Sequence, residues 1–189
     1  MANVRVLVIA GSARSESWNR RLASAAAAAI RAAGGEATEL APVDLPLYNG
    51  DLEARGGLPP AAVALKAAFR EHHALFVASP EHNSSVSAYL KNLIDWASRS
   101  APGEGSLAAF AGKTAAIASA STGALGGLRG LVHLRAILGN IGVLVLPEQL
   151  AVSAAQNAFN PDGSLKDKAH ADRLATIAAR LVKVAGALA

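Results

Sequence analysis

Cysteine is missing altogether from the 189 residues, which excludes a disulfide framework, a thiol nucleophile, zinc-finger spacing and thiolate-held iron–sulfur clusters. A chain without thiols is compatible with a reducing compartment, so the cytoplasm is the expected location. Aromatic residues make up only 4%, too few for a base-stacking platform. The 18 Lys and Arg against 14 Asp and Glu leave a net charge of +4, scattered without any Lys/Arg run. Nucleic acid is therefore not expected as a partner, and a mild positive field would instead draw in anionic small molecules. Long apolar runs are lacking too. The longest uncharged stretch, Thr114 to Leu128, is interrupted by Ser, Thr and Gly and falls short of the roughly 20 residues of a membrane span. Val6 to Ala10 is shorter than a secretory apolar region of about 7 to 15 residues. No membrane association is expected. Of five histidines only His72 and His73 are close in sequence, and helical neighbours point to different sides, so no metal site is expected.

What is present is a core: 52% of the residues are hydrophobic and 17% charged. A chain of this length buries roughly 70% of the surface its unfolded form exposes, so a single domain over residues 1–189 is expected. Val4 to Ala10 is a nearly continuous aliphatic run stopping at Gly11-Ser12, the pattern of a parallel strand buried on both faces. An alanine-rich helical stretch from Asn19 to Ala33 ends at Gly34-Gly35. Glu36 to Leu40 reads as a short second strand, followed by a Pro- and Gly-bearing connection from Pro42 to Pro60. A helix from Pro60 to about His72 precedes an apolar strand, Ala74 to Ala78. Ser87 caps a helix whose Leu90, Leu93, Ile94 and Ala97 form one stripe. Thr114 to Ala118 is a fourth strand. A helix carrying Leu131, Leu134, Ile137 and Leu138 leads to a fifth, Val143 to Pro147, and a last helix holds Leu174, Ile177, Leu181 and Val184.

Strands alternating with helices predict an α/β three-layer sandwich around a parallel sheet, because right-handed crossovers leave few other topologies. Ligands of such sheets bind beyond the carboxyl ends of the strands. Three loops then decide function. Gly11 to Asn19 offers a glycine, hydroxyls, an arginine and a helix N-terminus, which suits a phosphate, although a Ser-rich N-cap alone would look similar. The lysine of a Walker A loop and the glycine spacing of a dinucleotide fingerprint are both absent. Pro80 to Ser85 reads as a plain turn, or as a site loop through Glu81 and His82. No Gly-x-Ser-x-Gly element accompanies it, which argues against a hydrolase. Ser119 to Gly127 is small throughout, so its backbone is either a flexible turn or a close approach to a flat ligand.

The run Gly11-Ser12-x-Arg14-x-x-Ser17-x-Asn19-x-x-Leu22, then Pro80-Glu81-x-Asn83, then Leu90-Lys91-Asn92-x-Ile94-Asp95-Trp96, then Ser121-x-Gly123-x-x-Gly126-Gly127 with His133-Leu134-Arg135 closely resembles the NAD(P)H-dependent FMN reductase family, which includes chromate and quinone reductases. The resemblance implies a flavodoxin-like fold with a five-stranded parallel sheet of order 2-1-3-4-5 and noncovalently bound FMN. It places Ser12, Arg14, Ser17 and Asn19 on the 5′-phosphate, Pro80, Glu81, His82 and Asn83 along the isoalloxazine, and Ser121 and Gly123 on its other edge. His82 stands where the family usually has Tyr. Lys91, Asp95 and Trp96 are read as structural or interface residues.

The activity implied is hydride transfer from NADH or NADPH through FMN to an acceptor such as free flavin, quinone or chromate, by a ping-pong mechanism. The cofactor carries that chemistry, so no side chain is nominated as catalytic. A homodimer or homotetramer is the implied assembly. The alternative is a flavodoxin-type electron carrier with no pyridine-nucleotide step.

Overall fold

The computed structural model describes residues 3–101 and 103–188. In chain order the elements are β1 (Arg5–Ala10), α1 (Trp18–Ala32), β2 (Glu36–Glu39), α2 (Gly50–Gly56), α3 (Pro60–Glu71), β3 (Ala74–Ala78), β4 (Glu81–His82), β5 (Ser85–Val86), α4 (Ala88–Ala97), β6 (Thr114–Ala120), α5 (Leu128–Asn140), β7 (Leu144–Val152), a short 3-10 turn and α6 (Lys168–Leu188). β2, β1, β3, β6 and β7 form one sheet in that order, with every pairing parallel. With only the sheet strands counted, this is the 2-1-3-4-5 order anticipated.

The period-2 geometry of a strand sends successive side chains to opposite faces, and the core divides accordingly. Val6 and Val8 of β1, Phe76 of β3 and Ala116 and Ala118 of β6 pack with α1 and α6. Leu7 and Ile9, Leu75 and Val77, and Ala115 and Ile117 pack on the other face with α3, α4 and α5. The alanine richness of α1 has a packing role: Ala23, Ala26 and Ala27 are buried, and their thin side chains set that helix close against the sheet.

Three elements depart from the sequence expectation. The connection after β2 contains α2, capped by Asn49, whose side chain accepts from the Asp51 N–H at 2.8 Å. Seven residues with Gly at both ends carry no helical stripe; α2 is held from outside, by Tyr48 and Arg99 on Glu53. Pro80 to Ser85 is a β-hairpin in which β4 and β5 pair antiparallel, His82 opposite Ser85. Its tip residues Asn83 and Ser84 both have positive φ, 49° and 64°, as a tight two-residue hairpin demands. β7 runs through Pro147 to Val152 instead of ending at the proline. It lies at the sheet edge, where a missing N–H is tolerated, and a bulge between Val145 and Gln149 sets three of its residues opposite Ala116. Arg135 pins that bulge, donating to the Leu146 carbonyl at 2.7 Å and to Gln149 Oε1 at 3.0 Å.

Candidate functional site

The carboxyl ends of β1, β3 and β6 release the three loops side by side, and buried hydrogen bonds lock them together. Gly11 N–H donates to the Ala78 carbonyl at 2.8 Å, and Ser79 N–H to the Ala118 carbonyl at 2.9 Å. The Ser87 hydroxyl accepts the Leu90 N–H at 3.1 Å as the α4 N-cap and donates to the Gly11 carbonyl at 2.6 Å. A Cβ on Gly11 would stand 3.1 Å from Pro80 Cδ and 3.2 Å from Leu90 Cβ, so the first loop meets the second backbone to side chain at a place where only glycine sits easily.

The first loop is shaped as an anion cradle. The N–H groups of Ser12, Ala13, Ser15 and Glu16 take no acceptor among the described residues. The first turn of α1 has no acidic residue, and Ser17 caps it by accepting the Asn19 N–H at 3.2 Å. Arg14 is exposed, and Ser12 is half-buried. Glu16, the acid within the loop, is taken up by Arg21 at 3.2 Å. Asn19 differs from these in having its amide turned inward. It is buried, its Nδ2 donates to the Ala120 carbonyl at 2.8 Å, and its Oδ1 accepts the Ala120 N–H at 2.9 Å. What Asn19 does in the protein alone is to fasten the first loop to the third.

The second loop presents Pro80 half-buried and His82 and Asn83 exposed at the hairpin tip. Glu81 turns away from that tip. Its carboxylate accepts from Arg129 Nε at 2.8 Å, from the Arg129 N–H at 3.0 Å and from the Gly130 N–H at 3.2 Å. Burial pushes this carboxyl up, but the Arg129 guanidinium and the two amide donors outweigh it and hold Glu81 below the ordinary carboxylate range.

The third loop contributes Ser121, half-buried, and Gly123, exposed; Ser121 Oγ accepts the Gly123 N–H at 3.2 Å. Gly126 lies flat on the end of β7, where a Cβ would stand 2.8 Å from Ser153 N. Gly127 has φ +87°, and a Cβ there would come within 1.8 Å of Ser119 Oγ. Glycine is required at both positions to bring the loop down onto the strand ends.

The segment Leu90 to Trp96 lies outside this cleft. Trp96 is fully buried and donates through Nε1 to the Pro46 carbonyl at 2.8 Å. Asn92 also donates to that carbonyl, and accepts the Tyr48 N–H at 2.8 Å, so the motif anchors the connection after β2. Lys91 and Asp95 form a surface ion pair one turn apart. Arg129 is not singled out by the sequence, and His133 enters only within the run His133-Leu134-Arg135, without a role assigned to it. His133 Nδ1 lies 2.9 Å from Ser85 Oγ, giving the hairpin a second attachment to α5. The only sequence signal for Arg129 is its position just after the Gly126-Gly127 pair. Among the described residues, no group of three His, Asp or Glu is placed to hold a metal ion.

A five-stranded parallel sheet in this order, with its cleft built from the loops after the first, third and fourth strands, defines a flavodoxin-like α/β protein. Comparison with known proteins carries this further. Residues 4–157 match the family described as NADPH-dependent FMN reductase. An NAD(P)H-dependent FMN reductase of Pseudomonas aeruginosa is 41% identical over 167 residues, covering 87% of this chain and 86% of that protein. A quinone reductase of Escherichia coli is 34% identical over 175 residues, with 90% and 89% covered. Among solved structures, the flavoenzyme NAD(P)H:(acceptor) oxidoreductase of Paracoccus denitrificans superposes with a TM-score of 0.84 at 28% identity, covering 98% of each chain. The chain belongs to the NADPH-dependent FMN reductase family of oxidoreductases.

Proposed function

We propose that this protein is an FMN-dependent NAD(P)H oxidoreductase that passes reducing equivalents in two half-reactions to a small acceptor such as free flavin, a quinone or chromate. The observation that carries the reading is the first loop: N–H groups and an arginine that, among the described residues, have no acceptor and no acidic partner, together with hydroxyls, at the start of a helix whose first turn lacks carboxylates. That donor set fits a phosphate monoester. Arg14 would supply the charge-assisted contact, Ser12 and Ser17 hydroxyl contacts, and Asn19 the anchoring of the cradle to the third loop. Pro80, Glu81, His82 and Asn83 would lie along one side of the flavin ring, with Ser121 and Gly123 along its other edge. Bound FMN supplies a ring that takes a hydride from a nicotinamide and returns two electrons to an acceptor. The chain's part is to hold and orient that ring, and the backbone of the hairpin stabilises negative charge developing on it.

With one side of the ring covered by the loops, donor and acceptor must use the remaining face in turn. Steady-state oxidation of NADPH at several fixed quinone concentrations is then expected to give parallel double-reciprocal lines. Intersecting lines would refute the alternating use of one face. An FMN-loaded protein that oxidises no NADPH or NADH would place the chain with the flavodoxin-type carriers instead.

The assembly proposed is a homodimer or homotetramer. Leu125, Leu128 and Val132 are 52%, 42% and 60% exposed along the third loop and the first turns of α5, an apolar strip beside the cleft that a second copy would cover. Light scattering giving only monomer at micromolar concentration would refute it. Among the described residues no helix is long and apolar enough to cross a membrane, and the absence of thiols supports a cytoplasmic location.

A further inference from the structure

Helix α5 begins without a cap of its own. Its N-cap is Gly127, which has no side chain to accept the first free N–H groups. The acceptor comes from 48 residues away: Glu81 takes the N–H of Arg129 and of Gly130, at 3.0 and 3.2 Å, while its other oxygen takes the Arg129 guanidinium. Its side chain is 9% exposed. The carboxylate thus sits at the positive end of the helix dipole and against an arginine, two interactions that both favour its charged form.

The hairpin that carries Glu81 is a weak structure in itself. It has two residue pairs, and both tip residues, Asn83 and Ser84, occupy the left-handed region without being glycine. Two-stranded hairpins are marginal even at greater length, and a strained backbone persists only where its surroundings hold it. Here the surroundings are chiefly α5. A Cβ on Gly130 would stand 3.0 Å from the Ser85 carbonyl oxygen and 3.4 Å from Glu81 Cβ, so the helix lies directly under the hairpin. Ser85 and His133 add a contact at the far side.

We propose that Glu81 is a positioning residue: by capping α5 across space and pairing with Arg129, its side chain fixes the hairpin 81–86 in the conformation that meets the flavin ring, without itself touching the ring. The assignment rests on the FMN reading above. It separates the role proposed above for the Glu81 backbone, along the flavin ring, from that of its side chain, which faces the helix.

The test uses wild type, Glu81→Ala, Glu81→Gln and, as a control in the phosphate cradle, Arg14→Ala. Amide hydrogen exchange on the proteins without FMN is expected to show faster exchange at 81–86 and 128–130 in Glu81→Ala and no change there in Arg14→Ala. FMN titration is expected to show weaker binding in Glu81→Ala, by about tenfold, the effect of losing roughly one charged hydrogen bond's worth of positioning. Glu81→Gln keeps one acceptor oxygen, so it should fall between the two, and it serves as the folded variant if Ala does not fold. Because Gln leaves the Arg129 charge uncompensated, the midpoint potential of its bound FMN should rise. A tenfold change in the ratio of affinities for the two redox states would appear as about 30 mV.

Unchanged exchange at 81–86, or unchanged FMN affinity and potential in variants of a wild type that does bind FMN, would overturn the positioning role and leave the FMN reading intact. A wild type that binds no FMN would overturn that reading, and the positioning role with it.

Discussion

Asn19 offers the sharpest test of how the cleft is held together. Its amide spans from α1 to the end of β6, satisfying both the N–H and the carbonyl of Ala120 at 2.9 and 2.8 Å, and both residues are 3% exposed. Asn19→Ala removes one donor and one acceptor from a place water does not reach and leaves two backbone groups without partners. An orphaned buried group costs about 1–3 kcal/mol, so the expected loss for the two is about 2–6 kcal/mol, a large part of the roughly 5–15 kcal/mol that holds a domain folded. In urea, with a slope of about 2 kcal/mol per molar, the midpoint should fall by about 1–3 M. FMN affinity should weaken as well, because the first and third loops lose their tie. Asn19→Asp should recover part of the stability, since one carboxylate oxygen can still accept the Ala120 N–H. A urea midpoint unchanged in Asn19→Ala would refute the claim that this amide joins the loops.

Arg14→Ala should weaken FMN binding by about ten- to a hundredfold through loss of a charge-assisted contact of about 1.5–3 kcal/mol, measured by titration of protein stripped of flavin; an unchanged dissociation constant would remove the cradle assignment. Gly127→Ala should destabilise the protein by at least about 1–3 kcal/mol in chemical denaturation, since the new methyl would stand 1.8 Å from Ser119 Oγ on a backbone at φ +87°. His73 gives a pH signature: its Nδ1 accepts the Arg5 N–H at 3.0 Å, which requires the neutral ring, and burial together with the Arg5 charge hold it below the ordinary histidine value. The unfolded chain therefore binds the proton first, so stability is full above about pH 6.5 and falls as the pH drops toward the folded value. In His73→Asn, whose amide oxygen can take the same N–H, the urea midpoint should lose that part of its slope.

The sheet was legible because its signal is local. A strand buried on both faces must be apolar at every position, and Val4 to Ala10 and Ala74 to Ala78 can hardly be anything else. The loops that matter followed from the same strands, since a parallel sheet delivers its carboxyl ends to one edge. The hairpin was not legible, for the opposite reason. Its turn uses Asn83 and Ser84 at positive φ where the recognisable signal is Asn-Gly or Asp-Gly, and its conformation is paid for by contacts with a helix that begins more than forty residues later. The sequence pattern ends β7 too early because Pro147 reads as a terminator, whereas it lies on an edge strand with a bulge. The site residues divide along the same line. Ser12, Arg14 and Ser17 could be picked out because a helix N-terminus rich in hydroxyls has a chemistry of its own, whatever lies around it. The side chains of Asn19 and Glu81 are turned to Ala120 and to the start of α5, and no local pattern encodes such a partner. In this fold the residues beside the cleft therefore do two kinds of work, and motif position alone does not tell them apart. The direction of the side chain does: outward for Arg14 and His82, inward for Asn19 and Glu81, whose substitution should loosen the cleft even before any ligand is added.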